Sequence, residues 1–219
     1  MKKLLLLFLL VGAQALSSQS FYDDFSYNNN NWYTVSKTQE FFYSNGQLKI
    51  EQMRKKSGFS SGSLVNYNAI NQRRNFKISC EMRLTKGVTG NGIVWNFKDG
   101  RNNYRFLITD RDGKYAIYKI ENGSPTAIKK WGYSDAINKK FATNKLSVEH
   151  RNGQTFFYIN DSLVFDTYLD YDSNQRTYGV FLGEGSSFGK LNVDSFRLEY
   201  SGGNSNNGNG EQDRAPSKY

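Results

Sequence analysis

Alternation of apolar and polar residues is the strongest pattern along this chain. From Phe76 to Leu84 every second residue is apolar, and the residues between them are polar or charged. A period of two sustained over such a run predicts a β-strand with one buried face. Similar short runs, with turn residues at the reversals, are YRFLIT, KYAIYKI, TAIKKW, KLSVEH, QTFFYI, SLVFDT, TYGVFLGE and KLNVDSFRLEY. The chain therefore predicts a series of short antiparallel strands.

The composition agrees with an all-β chain. Gly occurs 20 times, Pro only twice, and 16% of the residues are aromatic. No convincing helical period extends beyond a turn or two, and the nearest candidate is SDAINKKF. A dozen or so short strands in about 180 residues favour one domain, residues 21–200, built as a sandwich of two packed sheets.

The two ends of the chain differ from this domain. Residues 1–20 are expected to be a signal peptide region: Lys2 and Lys3 precede a short apolar run, and an Ala-x-Ala pattern predicts cleavage near Ala15. The apolar run is too short to span a bilayer, so we expect no membrane span and a secreted, periplasmic or extracellular protein. Residues 201–219 are rich in Gly, Asn and Ser and are expected to form a disordered tail.

The charge suggests classes of partner. The formal charge is +9, and removal of Lys2 and Lys3 with the leader leaves 27 basic against 20 acidic residues, or +7. Such an excess favours acidic polysaccharide, anionic headgroups or DNA. The basic residues are scattered in pairs and one triplet, which is typical of a solvated surface, so we expect no nucleic-acid partner. The oligomeric state is left open.

Six longer segments together carry a recognisable pattern of strands and turns: FYDDFSYNNNNW, FKISCEMRL, GNGIVWNFKDGRNNYRFLI, GKYAIYKIENG, NKLSVEHRNGQTFFYINDSLVF and GVFLGEGSSFGKLNVDSFRLEY. This pattern resembles the concanavalin A-like lectin/glucanase superfamily, in particular its laminin G-like and keto-disaccharide-hydrolase-like bacterial domains. The resemblance covers roughly residues 21–200 and implies an antiparallel jelly-roll sandwich whose opening strand pairs near its closing strand. Members include lectins, glycosidases and modules with no known chemistry.

The sequence departs from the catalytic patterns of that superfamily. The E-x-D-x-x-E string of its laminarinase-type glucanases is absent. In GNGIVWNF, Asn96 and Phe97 stand where keto-disaccharide-hydrolase-like members commonly carry an Arg. Glu81, Glu149 and Asp166 lie on the polar sides of their strands beside Lys and Arg, which suits ion pairing better than acid–base catalysis. No catalytic residue is assigned.

The sequence predicts structural roles for Cys80 and His150. Cys80 is the single cysteine, so an intrachain disulfide is excluded, and the alternation buries its thiol. His150 follows the inward positions of its strand, which favours packing at the sheet rim over metal binding. We predict no metal centre and no cofactor, although calcium is left open because DRDG and the loop from Asp170 to Asn174 carry suitable oxygens.

The alternation also selects candidate ligand-binding residues. It places Ile93, Trp95 and Phe97 on the core face of one strand, and Asn96 and Lys98 on the other face. On the next two strands Arg105 and Tyr118 are expected on that same, concave face. Amide, cationic and aromatic side chains on one sheet face can hydrogen-bond and stack on a sugar. The predicted ligand-binding set is Asn96, Lys98, Arg105 and Tyr118.

These observations favour an exported, non-catalytic module for glycan recognition or surface interaction. Its expected partner is a polysaccharide or oligosaccharide, with an acidic one favoured by the charge. One alternative is a glycoside hydrolase or sugar lyase that uses dispersed carboxylates on the concave sheet. Another is an architectural protein of an envelope or matrix.

Overall fold

The computed structural model describes residues 18–27, 30, 32–34, 39–52, 61–66, 75–87, 90–171, 177–183 and 188–201. The predicted leader and the predicted tail after Ser201 lie outside these residues, apart from the leader's last few positions. The described chain contains no apolar helix of bilayer-spanning length. Its strands are β1 Ser18–Asp23, β2 Tyr33–Thr34, β3 Gln39–Tyr43, β4 Leu48–Gln52, β5 Ser61–Asn66, β6 Phe76–Lys86, β7 Asn91–Asp99, β8 Asn102–Thr109, β9 Lys114–Glu121, β10 Ser124–Tyr133, β11 Asn144–Arg151, β12 Gln154–Ile159, β13 Ser162–Tyr168, β14 Thr177–Gly183 and β15 Lys190–Ser201.

The strands form two antiparallel sheets. Sheet A has the order β13-β12-β11-β6-β15-β4-β3, and β1 also pairs with β15. Sheet B has the order β10-β9-β8-β7-β14-β5-β2. The sheets pack face to face around one apolar core, as the predicted all-β jelly-roll sandwich requires. The predicted fold class is therefore confirmed.

Strand β6 shows how the alternation builds the core. Its inward residues are almost completely buried, while the residues between them are half-buried or exposed. Cys80 is 1% exposed and carries a free thiol, as predicted, and burial raises its pKa well above the usual value. Trp95 stacks on Tyr104 of the neighbouring strand, with ring centres 5.5 Å apart, and packs across the sandwich against Phe157 of sheet A at 5.7 Å.

The opening motif closes the sandwich. In β1, Phe21 lies opposite Leu198 of β15, so the first strand pairs with the last as the resemblance implies. Asp23 is buried, and its carboxylate accepts hydrogen bonds from the Phe25 backbone N–H at 2.8 Å and the Trp32 indole N–H at 2.7 Å. Because a buried carboxylate is costly unless it is hydrogen-bonded, this Asp and Trp have a structural role.

A bulge in β7 overturns one prediction. Asn96 has φ = 45°, and between Val94 and Phe97 three steps along β7 match two steps along β14. The extra residue reverses the alternation beyond it. Phe97 therefore packs with Val94, separately from the core cluster that holds Ile93 and Trp95. The predicted placement of Phe97 on the face of Trp95 is wrong.

Candidate functional site

The outer face of sheet B carries Arg105 near its middle. Arg105 on β8 lies opposite Val94 on β7 and opposite Tyr118 on β9. The neighbours of Arg105 along β8, Tyr104 and Phe106, point into the core. Directly opposed residues on adjacent strands have Cβ atoms about 5 Å apart, so Arg105 and Tyr118 share one patch of surface. The prediction that both residues point outward agrees with this register.

The guanidinium of Arg105 is held by three neighbours. Its Nε donates a hydrogen bond of 2.8 Å to Oδ1 of Asn103, and one Nη donates a longer bond of 3.4 Å to the Gly100 carbonyl. Its central carbon lies 4.5 Å from the centre of the Phe181 ring. Asn103 is itself fixed, because its Nδ2 donates to the Asp99 carbonyl at 2.9 Å. The group is thus oriented before any ligand arrives.

The charge of Arg105 is not matched by a carboxylate within the described part of the chain. The side chain is only 8% exposed, yet it forms no ion pair with any carboxylate of the described residues. Burial lowers its pKa to about 10, so it is still a cation at neutral pH. Buried charges are normally paired because desolvation is costly. A buried cation without a carboxylate partner is therefore a candidate for a functional site.

Two aromatic side chains stand beside Arg105. The rings of Tyr118 and Trp131 meet edge to face with centres 6.4 Å apart, and both side chains are half-buried. A Cβ placed on Gly90 would lie 3.4 Å from the Trp131 ring and 3.6 Å from Leu107, which locates the indole over this outer surface. We refer to Arg105, Tyr118, Trp131 and Phe181 together as the Arg105 face.

The floor of the Arg105 face is made of small and apolar residues. Gly92 lies between Phe181 on β14 and Leu107 on β8, and Ala116 lies beyond Leu107 on β9. A Cβ on Gly92 would be 1.9 Å from the Phe106 carbonyl oxygen, so only glycine fits there. This floor is itself buried, so a sugar can reach the Arg105 face only through the exposed parts of Tyr118, Trp131 and Arg105.

The other two predicted ligand-binding residues lie elsewhere. Asn96 is buried at the bulge, and Lys98 is exposed beyond it. Both line a cavity of about 280 Å³ at the end of the sandwich, together with Lys119 and Glu121, which form an ion pair of 3.0 Å. The structure thus brings Arg105 and Tyr118 together and separates them from Asn96 and Lys98. The bulge is the reason, because it turns Asn96 away from the expected face.

Three residues that form or support the Arg105 face were not predicted from the sequence. Phe181 comes from β14, which is buried on both faces, so no alternation reveals which side it occupies. The sequence around Asn103 suggests a turn, whereas its Oδ1 accepts the hydrogen bond from Nε of Arg105 and so orients the guanidinium. Trp131 lies on β10, whose register shifts obscure its face. A tryptophan in an otherwise polar edge strand was the signal that could have identified it.

The dispersed carboxylates do not converge on the Arg105 face. Glu149 lies opposite Phe156, which in turn lies opposite Asp166, so a whole strand separates the two acids in sheet A. Glu149 forms an ion pair of 3.5 Å with Arg151, and Asp166 accepts a hydrogen bond from Gln154. These contacts agree with the expected surface role.

A second depression on sheet A has balanced charge. Its volume is about 430 Å³ and it lies over the outer face beside the β15 bulge. Three basic and three acidic side chains line it, so its net charge is zero: Lys77, Lys145, Arg197, Glu81, Asp194 and Glu199. Unlike the Arg105 face, it offers no uncompensated cation.

The lone histidine is structural. His150 is 6% exposed, stacks on Phe76 with ring centres 5.5 Å apart, and places Nδ1 3.1 Å from the Thr155 hydroxyl. Burial lowers the pKa of His150. Within the described residues His, Cys, Asp and Glu form no cluster of three or more. Most of the loop from Asp170 to Asn174, proposed for calcium, lies outside those residues.

Asp110, in the turn DRDG, is the one carboxylate among the described residues whose pKa is raised. It is 1% exposed, and no side chain of the described residues hydrogen-bonds its carboxylate. Burial raises its pKa to about 6. Asp110 directly follows β8 at the turn into β9, several residues along the chain from Arg105, so it is not part of the Arg105 face.

Comparison with known proteins gives the fold. No family model and no curated protein matches the chain. The carbohydrate-binding module CBM66 from Bacillus subtilis aligns with TM-score 0.52 and 16% identity, over 80% of this chain and 94% of that one. The Emp47p carbohydrate recognition domain aligns with TM-score 0.60 and 13% identity, over 87% and 100%. A Bacillus licheniformis β-glucanase aligns with TM-score 0.57 and 13% identity, over 84% and 98%.

The likeness to these neighbours is one of fold, an antiparallel two-sheet jelly-roll sandwich. At such low identity the likeness establishes architecture only. What this chain binds has to be argued from its own residues.

Proposed function

We propose that the chain is an exported, non-catalytic glycan-recognition module that binds a polysaccharide or oligosaccharide on the Arg105 face. The observation that carries the proposal is the unpaired, oriented cation of Arg105 beside the half-exposed rings of Tyr118 and Trp131. Sugars bind through hydrogen bonds to hydroxyls and through stacking of C–H groups on rings, and this surface supplies both.

Other observations support this reading. Two of the structural neighbours carry names that describe carbohydrate binding or recognition. The laminin G-like and keto-disaccharide-hydrolase-like domains, which the sequence resembles, are the finer relationship we propose. The positive charge of the mature chain makes an acidic glycan the favoured partner class.

The proposal of binding without catalysis rests on the carboxylates. A glycosidase needs two carboxyl groups on either side of the scissile bond, roughly 5 to 10 Å apart. Glu149 and Asp166 lie level with each other on either side of β12, but both are already engaged: Glu149 pairs with Arg151, and Asp166 accepts a hydrogen bond from Gln154. Neither faces Arg105, which lies on sheet B.

A glycan array tests the function. Wild-type protein should be retained by a defined set of oligosaccharides, and the double variant Tyr118→Ala/Trp131→Ala should lose them. Tyr168→Ala is the matched control, because this tyrosine is 75% exposed on sheet A. A reducing-sugar assay on the retained glycans should show no release. Retention by no glycan at all would refute the proposed function, and sugar release would favour the hydrolase instead.

Export has its own test. Protein expressed with its leader in a secreting host should appear outside the cytoplasm with its new N-terminus at or just after residue 16. Recovery of the intact chain from Met1 in the membrane fraction would contradict this part of the proposal.

A further inference from the structure

We propose that Arg105 is the receptor for a carboxylate group on the glycan, so the ligand is a uronate-bearing sugar. This inference rests on the proposed function and specifies which part of the ligand meets which part of the site. It starts from the charge balance of the Arg105 face. Phe181, Tyr118 and Trp131 are uncharged, and Arg105 has no carboxylate partner among the described residues.

The hydrogen-bonding capacity of Arg105 is only partly used. Its Nε is committed to Asn103, and one Nη is committed weakly to the Gly100 carbonyl at 3.4 Å. The other Nη has no partner within the described chain, and it is not among the fully enclosed polar atoms. A guanidinium carries five N–H bonds, so donors are left on the side that reaches solvent. These are the donors that a carboxylate takes.

The orientation of the fork favours a planar anion. Asn103 fixes the guanidinium from one edge, and the Phe181 ring lies 4.5 Å from its central carbon. The ring attracts a cation without neutralising it. A fixed planar guanidinium binds a carboxylate through parallel hydrogen bonds, and little side-chain freedom is then lost on binding.

The position of the rings fits a carboxylate that is attached to a sugar. Tyr118 lies directly across from Arg105, and the Trp131 indole meets the Tyr118 ring edge to face while it lies near Gly90 and Leu107. A pyranose ring spans about the distance between neighbouring strands, roughly 5 Å. A sugar whose carboxylate meets Arg105 can therefore place its ring against Tyr118 and the next residue against Trp131. Small carboxylates without a sugar ring use only half of this surface.

A second basic residue provides a matched control. Arg151 is also stacked on a phenylalanine, with its central carbon 4.3 Å from the centre of the Phe156 ring. It lies on sheet A and is paired with Glu149 at 3.5 Å. Arg151→Met removes the same formal charge as Arg105→Met and leaves the Arg105 face intact. The pair of variants separates a local receptor from diffuse attraction to a basic protein.

The experiment is a titration against matched oligosaccharides. The probes are an array of uronate oligosaccharides, their carboxyl-reduced neutral counterparts and sulfated oligosaccharides. Wild type and the variants Arg105→Met, Arg105→Lys and Arg151→Met are each applied at about 50 and 300 mM salt. These concentrations bracket the range over which screening of exposed charges becomes strong.

We expect wild type to prefer uronates to their neutral counterparts by at least about tenfold at both salt concentrations. Arg105→Met should abolish this preference, and Arg105→Lys should lose most of it because it retains the charge without the planar fork. Arg151→Met should behave as wild type. The variants should keep cooperative thermal unfolding, because Arg105 pairs with no carboxylate of the described residues and its loss leaves only neutral acceptors, chiefly Oδ1 of Asn103, without a donor.

Three outcomes would overturn the inference, and each is distinct. Equal affinity for uronate and neutral glycans, unchanged in Arg105→Met, refutes the carboxylate receptor but keeps the glycan function. Preference for sulfated over uronate probes assigns Arg105 to a sulfate ester and refutes the carboxylate. Retention by none of the probes, acidic or neutral, refutes the proposed function together with this inference.

Discussion

The guanidinium carbon of Arg105 lies 4.5 Å from the centre of the Phe181 ring. The two residues come from β8 and β14, which are not adjacent: β7 runs between them. The contact therefore reaches over the narrow position at Gly92, where the side chain is a single hydrogen atom. A Cβ at Gly92 would meet backbone atoms of Phe106 and Leu107, so the glycine admits the close approach of β7 and β8.

The first prediction concerns the stability effect of Arg105. Because the cation is buried without a carboxylate, replacing it by Met removes a desolvation cost but leaves Oδ1 of Asn103 without its donor. The free energy of unfolding of Arg105→Met should stay unchanged or rise by up to about 2 kcal/mol. Urea denaturation measures this. A loss of more than about 2 kcal/mol would mean that the arginine is structural and would weaken its assignment as a receptor.

Gly92 should tolerate no side chain. A Cβ there would lie 1.9 Å from the Phe106 carbonyl oxygen and 3.0 Å from the Leu107 Cα, and both are backbone atoms of the next strand. Gly92→Ala should reduce the free energy of unfolding by about 3 kcal/mol or more, because the two strands must separate. Gly100→Ala is the control, since a Cβ at that turn position meets nothing within 4 Å. Similar denaturation midpoints for the two variants would show that β7 and β8 are not this close.

Asp110 should make stability depend on pH. Burial raises its folded pKa from 3.8 to about 6, so between those values the unfolded chain releases the proton first. The free energy of unfolding contributed by this group is therefore highest below the unfolded pKa and falls as the pH rises towards 6, by roughly 1 to 3 kcal/mol in total. Asp110→Asn should remove this decline and stabilise the protein at pH 7. Thermal melts from pH 4 to pH 8 provide the measurement, and a variant that is less stable than wild type at pH 7 would contradict the account.

Cys80 should behave as a small apolar core residue. Cys80→Ala leaves a small void and should cost about 1 to 2 kcal/mol, whereas Cys80→Asp buries a charge and should prevent folding. Expression level and urea denaturation distinguish the two. Rapid reaction of native Cys80 with a thiol reagent, without denaturant, would place this strand face on the surface.

The alternation of apolar and polar residues shows which way side chains point only where one face of a strand is buried and the other is exposed to solvent. Strand β6 satisfies this condition, and its inward residues, including Cys80, were assigned correctly from the sequence. Strand β14 is buried on both faces, so its pattern is continuous and hides the fact that Phe181 faces away from the core. Burial on both faces is itself a consequence of the side chains that cover the outer surface of sheet B.

The bulge at Asn96 marks a second limit. Asn adopts a positive φ more readily than most residues, and several other asparagines of this chain have one in turns. The residue type alone therefore does not identify Asn96 as the site of a bulge. The sequence of β7 does not show whether its alternation is continuous or interrupted by a bulge. Asn96 and Lys98 were therefore predicted on the face of Arg105, whereas they lie at the end of the sandwich.

The pairing of Arg105 with Tyr118 could be predicted from the sequence, because the two residues lie on consecutive strands joined by one turn. The contacts of Arg105 with Phe181 and of Trp131 with Tyr118 depend on sheet order and register shifts. Such tertiary contacts produce no periodic pattern of apolar and polar residues in the sequence. They are also what converts one outward arginine into a candidate binding site.

Indole resonances give the most direct test that a glycan binds on the Arg105 face. The chain has three tryptophans: Trp32 and Trp95 are buried, and Trp131 is half-buried on the outer face of sheet B. Each should give one indole N–H signal in a nitrogen-15 correlation spectrum, assigned by substituting each tryptophan with Phe in turn. The ligand is a uronate oligosaccharide that the wild type retains on the array. We expect a saturable shift of the Trp131 signal, with the Trp32 and Trp95 signals nearly unmoved, and no shift of the Trp131 signal in Arg105→Met at the same concentration. Saturable binding that leaves the Trp131 signal in place would contradict this expectation.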